Sequence, residues 1–243
     1  MASTGELRQL RRRIRSVEST QQITRAMEMI AASRIQRAVR RMEEALPYAR
    51  MIHEIIRGLA VASEVRGHPL VAPHERIEGV AVLVITSDRG LAGAFNSNVL
   101  RHADDLIRRE ERDGHEVALY VVGRKGVNSF RFRGRQPDEA WTGFTEQPTI
   151  DDALDIAETL MDAYGERAID RVWMVYTDFQ SQMVQRPGAM QIMPVDPEEF
   201  AGGEELPAEF MYEPDPDELL ERLIPRFVEA VVFAGLLESA ASQ

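Results

Sequence analysis

Residues 7–59 read LRQLRRRIRSVESTQQITRAMEMIAASRIQRAVRRMEEALPYARMIHEIIRGL, and one apolar seam runs through the whole stretch. Its members are Leu7, Leu10, Ile14, Val17, Gln21, Thr24, Met27, Ala31, Ile35, Ala38, Met42, Ala45, Ala49, Ile52, Ile56 and Leu59, and only Gln21 and Thr24 among them are polar. The mean step is about 3.5 residues, the period of a coiled coil and not of an ordinary surface helix. At about 1.5 Å per residue the seam would be roughly 80 Å long, far longer than a compact domain of this size. Something else must cover it. Ser3 or Thr4 is placed to cap the start, and Gly58 and Gly67 mark exits. The consecutive three-residue steps Gln21 to Thr24 to Met27 form a stammer, which overwinds a supercoil locally at the point where the seam is also polar. Pro47 lacks a backbone donor and predicts a kink or break near residues 43–47.

Beyond the turn-rich segment 66–79 the pattern changes period. Gly79 to Thr86 (GVAVLVIT), Glu116 to Val122 (EVALYVV) and Arg171 to Thr177 (RVWMVYT) are continuous β-branched runs that read as buried strands. Helices are predicted between them over Asn98 to Arg109, Arg124 to Phe130, and Ile150 to Tyr164, the last capped by Thr149 or Asp151. This alternation predicts a mostly parallel, Rossmann-like sheet with helices on its faces. Met190 to Pro194 adds an edge strand paired with the segment around Phe179 to Val184. Residues 196–218, rich in proline, glycine and acid, read as a surface connection. Leu219 to Ala240 returns to helical spacing through Leu220, Leu223, Phe227, Val231 and Leu237, with Pro225 near its first turn. The expected fold class is therefore α/β: a long antiparallel helical coiled coil made from the two chain ends, plus a small sheet domain. The expected division is 1–66 for the long helix, 67–215 for the α/β domain and 216–243 for the second helix.

The 243 residues are 44% hydrophobic, too apolar for a disordered chain and long enough for one core with an appendage. No run approaches a membrane span, and the charged amino terminus does not resemble a signal peptide, so the expectation is a chain that stays in the cytosol without inserting into a membrane. Without cysteine, disulfides and thiol chemistry are excluded. Residues 1–50 hold eleven Arg against five Glu, a balance of +6, which leaves −17 for the remainder of a chain whose total is −11. A basic arm on an acidic protein suits an acidic partner, either nucleic acid or an acidic protein surface.

Catalytic signatures fail one by one. The turn Ser87-Asp88-Arg89-Gly90-Leu91-Ala92-Gly93-Ala94-Phe95-Asn96 sits where a doubly wound fold binds nucleotide, yet it lacks the glycine spacing; a tight turn with Asp88 or Ser87 as cap is the simpler reading. Lys125 is followed by Gly126, not by Ser or Thr, so there is no phosphate-binding loop. His53-Glu54 opens a zinc-type motif that ends in Arg57, and Asp104-Asp105 and Asp151-Asp152 are adjacent pairs facing different sides of helices. No metal or cofactor is expected.

The run Ser19-Thr20-Gln21-Gln22-Ile23-Thr24-Arg25-Ala26-Met27-Glu28-Met29-Ile30-Ala31-Ala32-Ser33-Arg34 resembles the amino-terminal signature of the gamma subunits of rotary proton-translocating ATP synthases. So do Leu46-Pro47-Tyr48-Ala49, Thr86 to Gly93, Gln182 to Pro187, Tyr212-Glu213-Pro214-Asp215-Pro216 and the closing Leu237 to Ser242. The resemblance implies a non-catalytic central-stalk rotor: proton flow turns a membrane ring, the α/β foot turns with it, and an asymmetric shaft presents different faces to the catalytic subunits. It implies as partners the alpha and beta subunits of the catalytic head, an epsilon subunit and the membrane c-ring, without nucleic acid, and a peripheral place on the cytoplasmic face of the cell membrane. By motif match, Arg25, Met27 and Arg34 lie at the contact with acidic segments of the catalytic subunits, together with Arg8, Arg11, Arg12 and Arg15. Members of that family normally continue well past the Glu238-Ser239-Ala240-Ala241-Ser242 segment, so a second shaft helix of about 25 residues, roughly 40 Å, is expected to cover only the half of the seam nearer Ile56. Leu7 to about Met27 is then left without an intramolecular partner. Two other classes compete: a nucleotide-using α/β enzyme with a coiled-coil oligomerisation arm, and a coiled-coil adaptor that binds nucleic acid through its Arg-rich helix.

Overall fold

The computed structural model describes residues 4–60, 65–200 and 215–243; the Ser3 cap and most of the acidic connection, including Tyr212 to Pro214, lie outside them. Helix α1 spans Thr4–Leu59. The break expected at Pro47 does not occur. The missing donor orphans only the Glu43 carbonyl, and Glu43 and Pro47 both lie on an exposed side of the helix, while Met42, Ala45 and Ala49 on another side stay half-buried. By internal contacts the chain forms two units, Met1–Arg40 and Arg41–Gln243, with the division inside α1.

The unit from Arg41 onward is a three-layer sandwich. It contains β1 (Gly79–Ile85), α2 (Phe95–Arg112), β2 (Glu116–Val122), α3 (Arg124–Phe132), β3 (Glu139–Trp141), α4 (Ile150–Gly165), β4 (Arg171–Ser181), β5 (Val184–Met193) and α5 (Pro216–Ala241). The sheet order is β3-β2-β1-β4-β5; the first four strands are parallel and β5 is antiparallel to β4. Strand alternation sorts the core into two halves. Val80, Val82 and Val84 face Val99, Ala103 and Leu106 of α2 and Phe130 of α3. Ala81, Leu83 and Ile85 belong to the larger core with Ile156 and Leu160 of α4, Ile224 and Val228 of α5, and Ile52, Ile56 and Leu59 of α1. Ile56 is fully buried. This is why the carboxy-terminal part of α1 belongs with the α/β body.

Helix α5 lies antiparallel to that part of α1. Ile52, Ile56 and Leu59 share a core with Leu220, Ile224 and Phe227, whereas Met42, Ala45 and Ala49 line a groove with Ala230, Phe233 and Ala234. Phe200 wedges between the two helices, 5.6 Å from the His53 ring and 5.2 Å from the Phe227 ring, edge-on to the latter. α5 starts at Pro216, capped by Asp215, so Pro225 falls in its third turn and not its first. It also crosses β4 closely: a Cβ on Gly235 would lie 2.7 Å from the Met174 sulfur. Thr149 caps α4 through a reciprocal pair of bonds with Asp152, so Thr149 and not Asp151 is the cap.

Two strands depart from expectation. β5 runs the full length of β4, from Met193 opposite Val172 to Val184 opposite Ser181, where a shorter edge strand was predicted. Pro187 and Gly188 hid it, but β5 is an edge strand and an edge tolerates proline. β3 has only three residues, too few to show a period.

Candidate functional site

The residues proposed from sequence all lie on α1. Arg8, Arg11, Arg12, Arg15, Arg25, Met27 and Arg34 are each exposed. Arg8, Arg11, Arg12 and Arg15 fall at helical spacing i, i+3, i+4, i+7 and make one stripe beside the seam of Leu7, Leu10, Ile14 and Val17. Met27 and Arg34 are seven residues apart and share a second face; Arg25 lies nearly opposite Met27, so the seven do not form one patch. The seam itself is open to solvent: Leu7 is 47% exposed, Ile14 53%, Val17 67% and Met27 46%, whereas Ile52 and Ile56 of the same seam are at 5% and 0%. Thr24, one of the two polar seam residues, is satisfied within the helix: its hydroxyl donates to the Thr20 carbonyl at 2.9 Å, as the Thr20 hydroxyl does to the Ser16 carbonyl.

At the carboxyl ends of β1 and β4, the switch point where such sheets bind nucleotide, the polar groups are consumed internally. The Ser87 N–H donates to Asn96 Oδ1 at 2.9 Å and the Asp88 N–H to Thr145 Oγ1 at 2.8 Å. The Asp88 carboxylate accepts from the amides of Gly143 (2.7 Å), Thr145 (3.1 Å) and Arg124 (3.2 Å). Asp88 therefore does not cap the helix that follows it; α2 begins after Ala94 without a side-chain cap, and Asp88 instead holds the first amide of α3. The Asp88 carboxylate thus ties the end of β1 to the start of α3 and to the loop at Gly143. Burial pushes the Asp88 carboxyl up, but the amides of Thr145, Gly143 and Arg124 outweigh it and hold the group below the usual range. A depressed carboxylate stabilises the fold above its ordinary value near pH 4 and loses that contribution as pH falls through its lowered one. Asp88→Ala is expected to cost about 2–3 kcal/mol in urea unfolding at pH 7 and to flatten this part of the acid dependence. A variant as stable as the parent would show that the three amides find other acceptors.

Other buried ionic groups have structural partners that sequence reasoning missed, most of them far apart in the chain. Asp170 accepts from the amides of Glu78 and Gly79 and lies 2.7 Å from His74 Nδ1, and His74 stacks on Tyr164 at 4.5 Å. Glu110, 2% exposed, is held by His115 at 2.8 Å and faces Arg171 at 3.5 Å. Among the described residues no cluster could hold a metal ion and no helix is long and apolar enough to cross a membrane.

The described residues thus combine an α/β body whose switch-point polar groups bond one another with a long helix that displays bare apolar and basic stripes. The family model described as ATP synthase matches residues 6–243. The chain is 41% identical to the ATP synthase gamma chain of Salinispora arenicola and 44% identical to that of Frankia casuarinae, each alignment covering 98% of this chain and 82% of the relative. Its fold matches a chain of the central stalk and c-ring of the Tetrahymena thermophila mitochondrial ATP synthase, with TM-score 0.65, 22% identity, and 90% of this chain and 93% of that one covered. The protein belongs to the ATP synthase gamma-chain family; it is a central-stalk rotor subunit of the complex and not a catalytic one.

Proposed function

We propose that this chain is the shaft and foot that carry rotation from a membrane c-ring to the alpha and beta subunits of the catalytic head, at the cytoplasmic face of the cell membrane and beside an epsilon subunit. The observation that carries this reading is the exposed seam. Between Leu7 and Ile30 eight large apolar side chains are open to water on one helix, though each would gain about 1.5–3 kcal/mol if fully buried. A surface of that kind is stable only in waiting for a partner. The stripe of Arg8, Arg11, Arg12 and Arg15 runs beside the seam, Arg34 shares the face of Met27 and Arg25 lies nearly opposite it, so the helix has no rotational symmetry. Three partners around it would meet different surfaces, and each would be biased toward a different nucleotide affinity by differential contact, with no chemical group on the shaft itself. Acidic segments of the catalytic subunits would face Arg8, Arg11, Arg12, Arg15, Arg25 and Arg34.

The test is reconstitution. Alpha and beta subunits are purified without their shaft, this chain is added, and co-elution and ATPase rate are followed. Co-elution with a raised ATPase rate is the expected outcome. Failure of the chain to enter the hexamer would defeat the proposal, and salt-dependent retention on DNA in place of hexamer binding would favour the adaptor reading.

A further inference from the structure

The last turns of α5 dock on the end of β4 through polar contacts that include two carboxylates and no cation. Glu238 is half-buried, and its Oε2 is shut off from solvent without a hydrogen-bond partner. The titratable groups that face it, Asp178 and Tyr176, both come from β4. Asp178 is positioned by the Gln180 side-chain amide at 2.9 Å. Around the pair the joint is neutral: the Thr177 N–H donates to Ser239 Oγ at 3.4 Å, and the Gln243 side-chain amide donates to the Thr145 carbonyl at 3.3 Å. Among the described residues no arginine, lysine or histidine is paired with either carboxylate.

We propose that Glu238 and Asp178 form a proton-operated latch that fastens the end of α5 to β4, shut while Glu238 holds a proton and loosened when both carboxyls are ionised. With a proton, the Glu238 carboxyl is neutral, its enclosed oxygen needs no counter-charge, and Asp178 faces it as a single charge. Without it, two like charges share a partly dry site with nothing to neutralise them. Burial first, and the Asp178 charge second, raise Glu238 to about 7, so the change falls at physiological pH.

The sign follows from proton linkage. An undocked Glu238 ionises near its ordinary value of 4.5, and the docked one near 7. Across that window the docked state binds more protons, so docking weakens as pH rises, by up to about tenfold per pH unit, and levels off above it. Below the window the latch is fully shut. Because α5 is packed along α1 as well as on the sheet, the latch sets how stiffly the helical pair is joined to the α/β body. The device is local, and the buried core strands are expected not to feel it.

Hydrogen exchange of the full chain tests this, read as protection factors at about pH 5.5 and about pH 8. Protection of the Thr177 amide and of residues 238–242 is expected to fall roughly tenfold or more between the two, while Val82 in β1 is unchanged. Glu238→Gln should abolish the pH dependence, and Asp178→Asn should move the midpoint down. If Glu238→Gln does not fold, a carbon-13 titration of the Glu238 carboxyl in the unsubstituted chain decides, with a midpoint near 7 expected. Equal protection at both pH values, an unchanged pH dependence in Glu238→Gln, a parallel loss at Val82, or a carboxyl that titrates at its ordinary value would each overturn the latch.

Discussion

Replacing Leu10, Ile14 and Val17 together by glutamine is expected to leave the melting temperature of the free chain within about 2 °C and to weaken its capture by the catalytic hexamer at least about 100-fold. The first half follows from exposure: these side chains are 51%, 53% and 67% open, so their removal takes nothing from a core, and glutamine is as good a helix former as the residues it replaces. The second half follows from the same three groups once a partner encloses them. Each loses about 1.5–3 kcal/mol of burial, and a buried glutamine amide needs a partner besides. Half of the summed loss is about 2–4.5 kcal/mol, and with the unpaired glutamine amides added it exceeds the roughly 2.8 kcal/mol that 100-fold represents. Unchanged capture would mean that the seam is not the gripped surface. A fall in melting temperature of more than about 5 °C would mean that the seam packs within the free chain after all.

Gly123→Ala is expected to cost at least about 3 kcal/mol and to leave little folded protein at 37 °C. Gly123 joins β2 to α3 at φ +93, a region closed to alanine, and a Cβ there would lie 2.3 Å from the Thr86 carbonyl oxygen. Relief by a small shift is blocked, because the Thr86 side chain bonds the Val122 carbonyl at 2.8 Å and accepts from the Gly126 amide at 2.9 Å, fixing the ends of β1 and β2 together. Gly134→Ala is the control. It has φ +80 but open space around it, so it should lose only the conformational part, about 1 kcal/mol. Equal losses in the two variants would show that the close approach to Thr86 contributes nothing.

The family resemblance and the strand periods were legible because they reside in neighbouring residues. α1, β1, β2 and α4 begin and end within a few residues of where the apolar patterns place them. What stayed hidden was held by contacts between distant segments. Asp88 looked like a cap for the next helix, whereas it serves α3 and the loop at Gly143; nothing local to residue 88 tells which amides a carboxylate will meet. The full length of β5 was masked by Pro187, and the edge position that permits it is a property of the sheet. Glu238 read as one more acidic residue near a helix end, and only its placement against Asp178 makes it unusual.

The repeat of apolar side chains along residues 7–59 by itself determined that a long helix forms and that one face of it needs cover, since periodicity in a helix is a one-dimensional property. Where cover is provided was decided in three dimensions. Ile52, Ile56 and Leu59 are closed over by α5 and the sheet, while Leu7, Leu10, Ile14, Val17 and Met27 are exposed, although both stretches carry the same pattern. The cause is reach: a side chain is buried only where another element of the chain arrives beside it, and that depends on how the sheet and α5 are stacked, not on the residues of α1.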